Sequence, residues 1–534
     1  MKTKRKLSKA LALCLTLLMA IGLFGTAAFA IAPDATGTIT VSNVENGLAV
    51  SAYRLMDVNV NADSGQPQEP VYTWTPEVAG WVRANYPSYI GTDTDNSVQP
   101  AFNSTASTDA VATFYDALAA AIRGKSITLG AAKIETTADG GASITDLAMG
   151  NYLILIENGM RVYRPSAVNL VPVWDAEADR GNGAWVMSDA TVDVKSSNMT
   201  ITKTVKAPGT ENRMKADNAS MGDTVTFDIV TDVPQFPANA MTKNYAISDI
   251  LPKGLTFNSG SLKVYGVAGE SETPLEAGAD NAYTQETTRP SNNDTSTFTL
   301  TFNYAQISSY NQIHVTYTAT LNGTADVGAS GNTNTAYLDY TNNPYTETSW
   351  QSQDDSATVY TYGLDISKVD ADNNEALTGA VFELYASEND ANSGSNKISF
   401  VQDNDGVYHK VAAGTDGAVT SFIVHSTSGK LTLNGLDAGT WYLKEITAPN
   451  GYNLLAGPVS VEIADADLDG AVTVDNAELE NGLVPLTVEN DNGFQLPVTG
   501  GMGTILFTAA GVVLMGAAVI LLVIALKRKK AESK

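Results

Sequence analysis

The chain has 534 residues but only one cysteine, Cys14, and three histidines. Because Cys14 lies in a segment that we expect to be removed (see below), disulfide bonds are excluded from the remaining protein. His314, His409 and His425 are scattered, with no ligand spacing and no nucleophile motif nearby. Zinc, calcium-loop and phosphate-loop patterns are also missing. We therefore predict no metal site, no cofactor and no enzymatic activity.

Basic residues are scarce as well. The chain has 32 Lys and Arg against 58 Asp and Glu, a net charge of −26. Five of the basic residues lie in the first thirty positions, and five more lie after Thr499 together with Glu532, which leaves 22 basic and 57 acidic residues in between, a net charge of −35. This balance excludes a nucleic-acid partner, which needs a basic surface. It is typical of a well-solvated exported protein.

The first thirty residues have the composition of a secretion signal. A basic head, residues 2–9, is followed by an apolar stretch, residues 11–24, and by the small-residue pattern Ala28-Phe29-Ala30. The apolar stretch is short for a membrane anchor and ends in a cleavage pattern. We predict a signal peptide, residues 1–30, that is cleaved after Ala30.

The C-terminal segment, residues 496–534, contains three features in a fixed order. The sequence Leu496-Pro497-Val498-Thr499-Gly500 is followed by the apolar residues 505–526 and the basic residues 527–530. The apolar run is long enough for a transmembrane helix, and the basic tail would remain in the cytoplasm. Alone, these two features would describe a plain membrane anchor. The preceding pentapeptide resembles the LPxTG sorting signal of Gram-positive surface proteins, which implies that a sortase cuts between Thr499 and Gly500 and joins the Thr carboxyl to an amine.

The chain between these ends has the pattern of an all-β protein. Short alternating segments rich in Val, Ile, Thr and Tyr are separated by Gly, Asn and Asp, which favours tandem immunoglobulin-like sandwiches. Length and restarting strand patterns predict three modules, residues 31–195, 196–360 and 361–495. Helices are few in this part of the chain, and the two candidates lie in the first module, at residues 108–123, with Ser107 or Thr108 as N-cap, and at residues 77–85.

Two of the modules place polar residues on strand faces that are otherwise apolar. Because side chains two apart share a face of a strand, the second module points Lys203, Asp249 and Asn334 inward, and the third repeats the set with Lys368, Glu445 and Asn490. An ordinary buried polar network would explain either set alone. The repetition of one Lys, one carboxyl and one Asn favours a shared chemical role.

That role would be a self-formed cross-link. Burial lowers the pKa of a lysine and raises that of a carboxyl, so both groups can become neutral. The neutral amine is a nucleophile, and the protonated acid, Asp249 or Glu445, polarises the Asn amide and shuttles the proton. Ammonia leaves and a Lys–Asn isopeptide bond remains. The first module has no lysine in its opening strand, residues 38–42, so we predict no such bond there and the lowest stability of the three.

Two stretches of the chain resemble known families. Residues 441–452, WYLKEITAPNGY, are similar to the E-box of collagen-adhesin B-type (Cna-like) domains, YxLxETxAPxGY, with Trp441 and Ile446 as departures. Residues 248–256 and 334–340 are similar to the middle domain of pilus backbone subunits. The resemblance implies Cna-like sandwiches, with Glu445 and Asp249 as the acids that promote the Lys368–Asn490 and Lys203–Asn334 bonds.

The resemblance also implies a sortase-assembled pilus backbone with a role in adhesion. Its partners would be a sortase, other copies joined head to tail, and peptidoglycan or a base pilin, and its location the cell wall. For the lysine that receives Thr499 we choose Lys195, which strand alternation makes exposed, although the Tyr-Pro that precedes this lysine in the family is missing. Lys206 is the fallback. The alternative function is a monomeric wall-anchored adhesin, and the ligand cannot be identified from the sequence.

Overall fold

A computed structural model describes residues 31–492, except residues 33, 238, 239 and 476, and residues 502–531; the side chains of residues 180, 502–507 and 527–531 are not described. The predicted signal peptide and the sorting pentapeptide lie outside these residues. The described residues form two compact units. Unit 1 holds residues up to Asp217, Thr224–Thr320 and Asn332–Val359, and unit 2 holds Asn218–Asp223, Leu321–Gly331 and the residues from Tyr360 onward. The boundaries after residues 195 and 360 remain predictions.

The first part of unit 1 combines small sheets with a helical insertion. The sheets have the strand orders β11-β1-β5 and β3-β2-β6-β8, with β4 also on β2, and two-stranded pairs are formed by β9 with β10 and by β7 with β12. The strands are β1 Thr36–Ser42, β2 Ala49–Val60, β3 Pro67–Trp74, β4 Lys133–Thr136, β5 Gly141–Ala148, β6 Gly150–Ile156, β7 Val162–Tyr163, β8 Ser166–Leu170, β9 Pro172–Asp175, β10 Ala184–Met187, β11 Ala190–Asp193 and β12 Ser196–Ser197. The helices are α1 Pro76–Asn85, α2 Pro100–Asn103, α3 Thr108–Arg123 and α4 Ala178–Gly181.

The predicted helical insertions are confirmed. Helix α3 has the predicted bounds, and the Ser107 side chain accepts a hydrogen bond from the Ala110 N–H at 3.2 Å, the expected N-cap bond. Helix α1 begins at Pro76, one residue before the predicted start, because proline suits the first turn of a helix.

The rest of unit 1 is built mainly from two six-stranded sheets. Sheet M1 has the order β13-β15-β22-β18-β19 with β17 on β22, and sheet M2 has the order β14-β24-β23-β16-β21-β20. The strands are β13 Ile201–Lys206, β14 Ala216–Asn218, β15 Thr224–Asp232, β16 Tyr245–Ile250, β17 Leu255–Phe257, β18 Lys263–Ala268, β19 Ser271–Pro274, β20 Tyr283–Thr288, β21 Thr295–Phe302, β22 Gln312–Leu321, β23 Asn332–Tyr340 and β24 Gln351–Tyr360. One short helix, α5 Tyr304–Ile307, precedes β22.

Unit 2 contains a second sandwich. Sheet C1 has the order β27-β28-β30-β25-β35, in which β25 and β35 are parallel, and sheet C2 has the order β29-β26-β31-β32. The strands are β25 Tyr362–Asp370, β26 Val381–Tyr385, β27 Phe400–Asn404, β28 Val407–Lys410, β29 Phe422–Ile423, β30 Lys430–Leu436, β31 Gly439–Thr447, β32 Val459–Ile463, β33 Val472–Val474, β34 Ala477–Leu479 and β35 Leu483–Asn490, and the helices are α6 Glu388–Ser393 and α7 Met502–Ala531.

Helix α7 matches the predicted transmembrane segment. Its residues Thr508–Leu526 have a mean hydropathy of 2.8 and are long and apolar enough to cross a bilayer. With this helix and the sheets of both units, the predicted all-β class with helical insertions and a C-terminal apolar helix is confirmed.

Candidate self-crosslinking sites

The structure brings the three predicted residues of the middle region together between sheets M1 and M2. Lys203 lies on β13 of sheet M1, and Asp249 and Asn334 lie on the neighbouring strands β16 and β23 of sheet M2. All three side chains are 0% exposed. Along β13 burial alternates, so that Lys203 and Val205 face the core. The alternation of apolar residues in the sequence therefore correctly indicated that these side chains are buried.

The three side chains form one hydrogen-bonded cluster, which we call the M site. The Lys203 ammonium donates to the Asp249 carboxylate. It also donates to the hydroxyl of Tyr317 at 3.0 Å. The Asn334 Nδ2 donates to the same hydroxyl at 2.6 Å. The amine and the amide are thus both within hydrogen-bonding distance of one oxygen atom.

Aromatic rings enclose the M site, and the sequence analysis did not identify them. Lys203 Nζ lies 5.1 Å from the ring centroid of Phe227 and 5.4 Å from that of Tyr317. Phe257 and Phe298 pack against the ring of Tyr317 at centroid distances of 5.6 and 5.1 Å. These rings come from β15, β17, β21 and β22, far apart in the chain. They exclude water, so nothing but the cluster itself can solvate a charge there.

This environment favours the neutral forms of Lys203 and Asp249. Burial lowers the pKa of the Lys203 amine, and the Asp249 charge opposes that shift only in part. Burial likewise raises the pKa of the Asp249 carboxyl against the opposing effect of Lys203. A proton that moves from the amine to the carboxyl leaves a nucleophilic amine beside a carboxylic acid.

Two oxygen atoms of the M site lack a hydrogen-bond partner among the described residues. They are Asp249 Oδ1 and Asn334 Oδ1, and both are buried. A buried acceptor without a donor costs about 1–3 kcal/mol. If Asp249 were protonated, its O–H could donate a hydrogen bond to the amide oxygen of Asn334. That hydrogen bond would polarise the Asn334 carbonyl for attack.

The second trio lies in unit 2 and forms what we call the C site. Lys368 on β25 and Asn490 on β35 belong to adjacent parallel strands, and Val488 is the residue directly opposite Lys368. Glu445 comes from β31 in sheet C2. The exposed fractions of Lys368, Glu445 and Asn490 are 0%, 3% and 2%. The sequence prediction that these three face one core is confirmed by this burial.

Hydrogen bonds fix the positions of the three side chains in the C site. Asn490 Nδ2 donates to Glu445 Oε2 at 2.9 Å and to the backbone carbonyl of Asn453. The N–H of Leu455 donates to the same Glu445 oxygen at 3.0 Å, so the loop that follows β31 holds the acid in place. Lys368 Nζ donates to the Val488 carbonyl at 2.8 Å. Glu445 Oε1 and Asn490 Oδ1 are buried without a partner in the described part of the chain, as in the M site.

The lysine of the C site is also shifted toward its neutral form. Burial lowers the pKa of the Lys368 amine to about 8, and the charges of Glu445, Glu489 and Asp370 oppose this shift. Near neutral pH a larger fraction of this amine is therefore unprotonated than of an exposed lysine, and the unprotonated form is the one that attacks an amide carbon.

The lysine chosen as the intermolecular acceptor is accessible. Val192 and Val194 are buried, whereas Lys195, which follows β11, is exposed. Lys206, the fallback, ends β13 and is half-buried. Lys125 and Lys133, the other lysines between residues 31 and 195, are not buried. None of the lysines at residues 125, 133 and 195 is therefore buried, and the absence of an internal isopeptide bond in the first module remains a prediction.

Comparison with known proteins gives a consistent family. Residues 221–344 match the family described as Gram-positive pilin backbone subunit 2, Cna-B-like domain; residues 363–478 match a prealbumin-like fold domain; and residues 488–533 match the LPXTG cell wall anchor motif. The trypsin-resistant surface T6 protein of Streptococcus pyogenes serotype M6 is 28% identical over 278 residues, which are 49% of this chain and 45% of that protein. The chain therefore aligns with less than half the length of that relative.

A solved backbone pilin shows the same fold. The T6 backbone pilin of S. pyogenes serotype M6 superimposes with a TM-score of 0.57 at 19% identity, covering 87% of this chain and all of that one. The full-length major pilin SpaD from Corynebacterium diphtheriae gives a TM-score of 0.48 at 17% identity, covering 87% of this chain and 99% of that one. The three domain matches and these similarities support a pilus backbone subunit of Gram-positive bacteria. The LPXTG anchor motif and the C-terminal apolar helix support a cell-wall-anchored surface protein, and the proteins that the chain resembles are structural pilins rather than enzymes.

The depressed pKa of Lys368 predicts how the stability of the unlinked pilin depends on pH. In an Asn490→Ala variant, which cannot form the bond, the charged form of the amine is less favourable in the folded state than in the unfolded state. Stability should therefore be highest above the unfolded pKa of about 10.4 and fall as the pH is lowered to the folded value of about 8. Below that value this contribution should remain constant. Urea unfolding between pH 7 and 10.5 measures it.

The matched control is the double variant Lys368→Met and Asn490→Ala, which keeps a side chain of similar length but removes the amine. The difference between the two unfolding curves isolates Lys368 from other titrating groups. A difference that does not change with pH would contradict the assignment of a neutral, buried amine.

Proposed function

We propose that this pilin is the major structural subunit of a covalent pilus. A sortase cleaves between Thr499 and Gly500 and joins the Thr499 carboxyl to Nζ of Lys195 in the next copy. The receiving and donating groups are different, so each copy can bind one before it and one after it, and the assembly grows as an open fibre. The anchor motif and the exposure of Lys195 support this proposal. Peptidoglycan or a base pilin would receive the last Thr499, and the fibre has a role in adhesion.

We further propose that each subunit carries two self-formed isopeptide bonds, Lys203–Asn334 and Lys368–Asn490. The observation that carries this proposal is the recurrence of one buried arrangement in both units: a lysine, a carboxyl and an asparagine. Among the described residues, the carboxyl and the amide each keep one oxygen without a hydrogen-bond partner. The repetition is hard to explain as chance, because each buried charged group costs several kcal/mol when unpaired. The bonds would stabilise modules 196–360 and 361–495 by about as much as a disulfide, 2–4 kcal/mol or more.

The internal bonds can be tested by intact mass. Residues 31–499, expressed without any sortase, should weigh less than the sequence mass by two molecules of ammonia, because each bond releases one. Asp249→Ala and Glu445→Ala should each restore the mass of one ammonia, since each removes the acid of one site. Glu489→Ala is the control, because this exposed carboxylate lies beside Asn490 but points away from the core. An unshifted wild-type mass would refute both bonds.

The intermolecular bond can be tested on the cell surface. Lys195→Arg keeps the positive charge but removes the primary amine, so pilus ladders on denaturing gels of wall extracts should disappear and monomer should accumulate. Lys206→Arg is the matched control and should leave the ladders intact. Ladders that persist in Lys195→Arg would exclude this lysine, and a wild-type strain without ladders would favour a monomeric wall-anchored adhesin.

A further inference from the structure

The hydroxyl of Tyr317 lies between the nucleophile and the leaving group of the M site. Lys203 Nζ is 3.0 Å from this oxygen on one side, and Asn334 Nδ2 is 2.6 Å from it on the other. The Lys203 amine, in turn, also donates to the Asp249 carboxylate. One oxygen atom therefore contacts both nitrogen atoms of the proposed reaction.

The reaction requires a proton to move from Lys203 Nζ to Asn334 Nδ2. When Nζ attacks the Asn334 Cγ, the new C–N bond leaves Nζ with an extra proton, while Nδ2 must gain one before it can depart as ammonia. An amide nitrogen without that proton is a very poor leaving group, so the transfer decides whether the intermediate goes forward or reverts.

We propose that Tyr317 is a catalytic residue of the M site that relays this proton from Lys203 Nζ to Asn334 Nδ2. As the Cγ–Nδ2 bond breaks, the hydroxyl gives its proton to Nδ2 and takes one from Nζ. The Cγ–Nζ bond remains, ammonia leaves with three hydrogens, and Tyr317 ends in its starting form, so the step needs no other reactant. This role rests on the Lys203–Asn334 bond proposed above.

The surroundings of Tyr317 suit a relay. The residue is 1% exposed, and it lies directly opposite Phe227 in the register of β15 and β22. The two rings stack with their centroids 5.5 Å apart, and Phe257 and Phe298 contact the Tyr317 ring from other directions. The ring is therefore fixed, and burial raises the pKa of its hydroxyl well above the usual range, so that the hydroxyl keeps its proton until the reaction moves it.

The C site provides an internal comparison. There the amide nitrogen of Asn490 donates directly to the acid, Glu445, at 2.9 Å. The amine of Lys368 donates to the backbone carbonyls of Val488 and Val369. The same chain thus contains one site with the hydroxyl between the two nitrogens and one in which the acid contacts the leaving nitrogen directly.

The test is the Tyr317→Phe variant of residues 31–499, produced without sortase and followed by intact mass from harvest onward. The ring and its packing remain, and only the hydroxyl is lost. We expect the M-site bond to form at least about 10²-fold more slowly. A species that has lost only one ammonia should therefore be present at harvest and convert over time to the species that has lost two. The C-site bond should be complete in the same molecules, and digestion identifies which bond is missing.

Tyr245→Phe is the matched control. Tyr245 is also fully buried in unit 1, and its hydroxyl pairs with Thr231 and the Asp232 carbonyl rather than with the M site. It should lose both ammonia molecules as fast as the wild type. Near-ultraviolet circular dichroism, with Asp249→Ala as the reference for a chain without the M-site bond, reports whether Tyr317→Phe has folded.

The outcomes separate the relay from the bond itself. If the M-site bond forms in Tyr317→Phe at the wild-type rate, the proposed relay is overturned, but the proposed bond is not. An unfolded Tyr317→Phe variant under conditions where Asp249→Ala is folded would also overturn it, because the hydroxyl would then be structural. A wild-type chain that loses no ammonia at the M site would instead refute the proposed bond.

Discussion

The burial of a lysine amine in each sandwich is the constraint on which the rest of this structure depends. A charged amine taken out of water and left unpaired would cost several kcal/mol, and a buried ion pair seldom recovers that cost in full. Lys203 and Lys368 are nevertheless 0% exposed. The conflict disappears if the amine becomes neutral and is then consumed in a covalent bond. The unfavourable burial of the amine would thereby lead to a permanent cross-link in a chain that has no cysteine after Cys14.

The two sites reach this result by different geometry. In the M site the lysine and the asparagine come from opposite sheets, so the bond would join M1 to M2 across the core. In the C site they come from neighbouring parallel strands, β25 and β35, the first and last strands of sheet C1 in the chain. A bond there would connect the entry and exit strands of the sandwich. A pull on the two chain ends would then act on a covalent bond rather than on the hydrogen bonds between strands.

Much of this arrangement was predictable because strand alternation is a local property. The positions of Lys203, Lys368, Glu445 and Asn490 followed from apolar neighbours two residues away, and the bounds of α3 followed from its N-cap and the glycine after it. Contacts between distant segments were not predictable. The rings around Lys203 come from strands that only the fold brings together. Tyr345 makes a similar long-range contact. It lies in the loop between β23 and β24, yet its hydroxyl contacts Asp116 of α3 at 3.1 Å.

Peptide mapping shows whether the two buried lysines are covalently joined to their asparagines. Residues 31–499 produced without sortase are digested and sequenced by tandem mass spectrometry. We predict two branched peptides, one linking Lys203 to Asn334 and the other linking Lys368 to Asn490, each lighter than its two parts by one ammonia. Linear peptides in which these lysines and asparagines are unmodified would contradict this prediction.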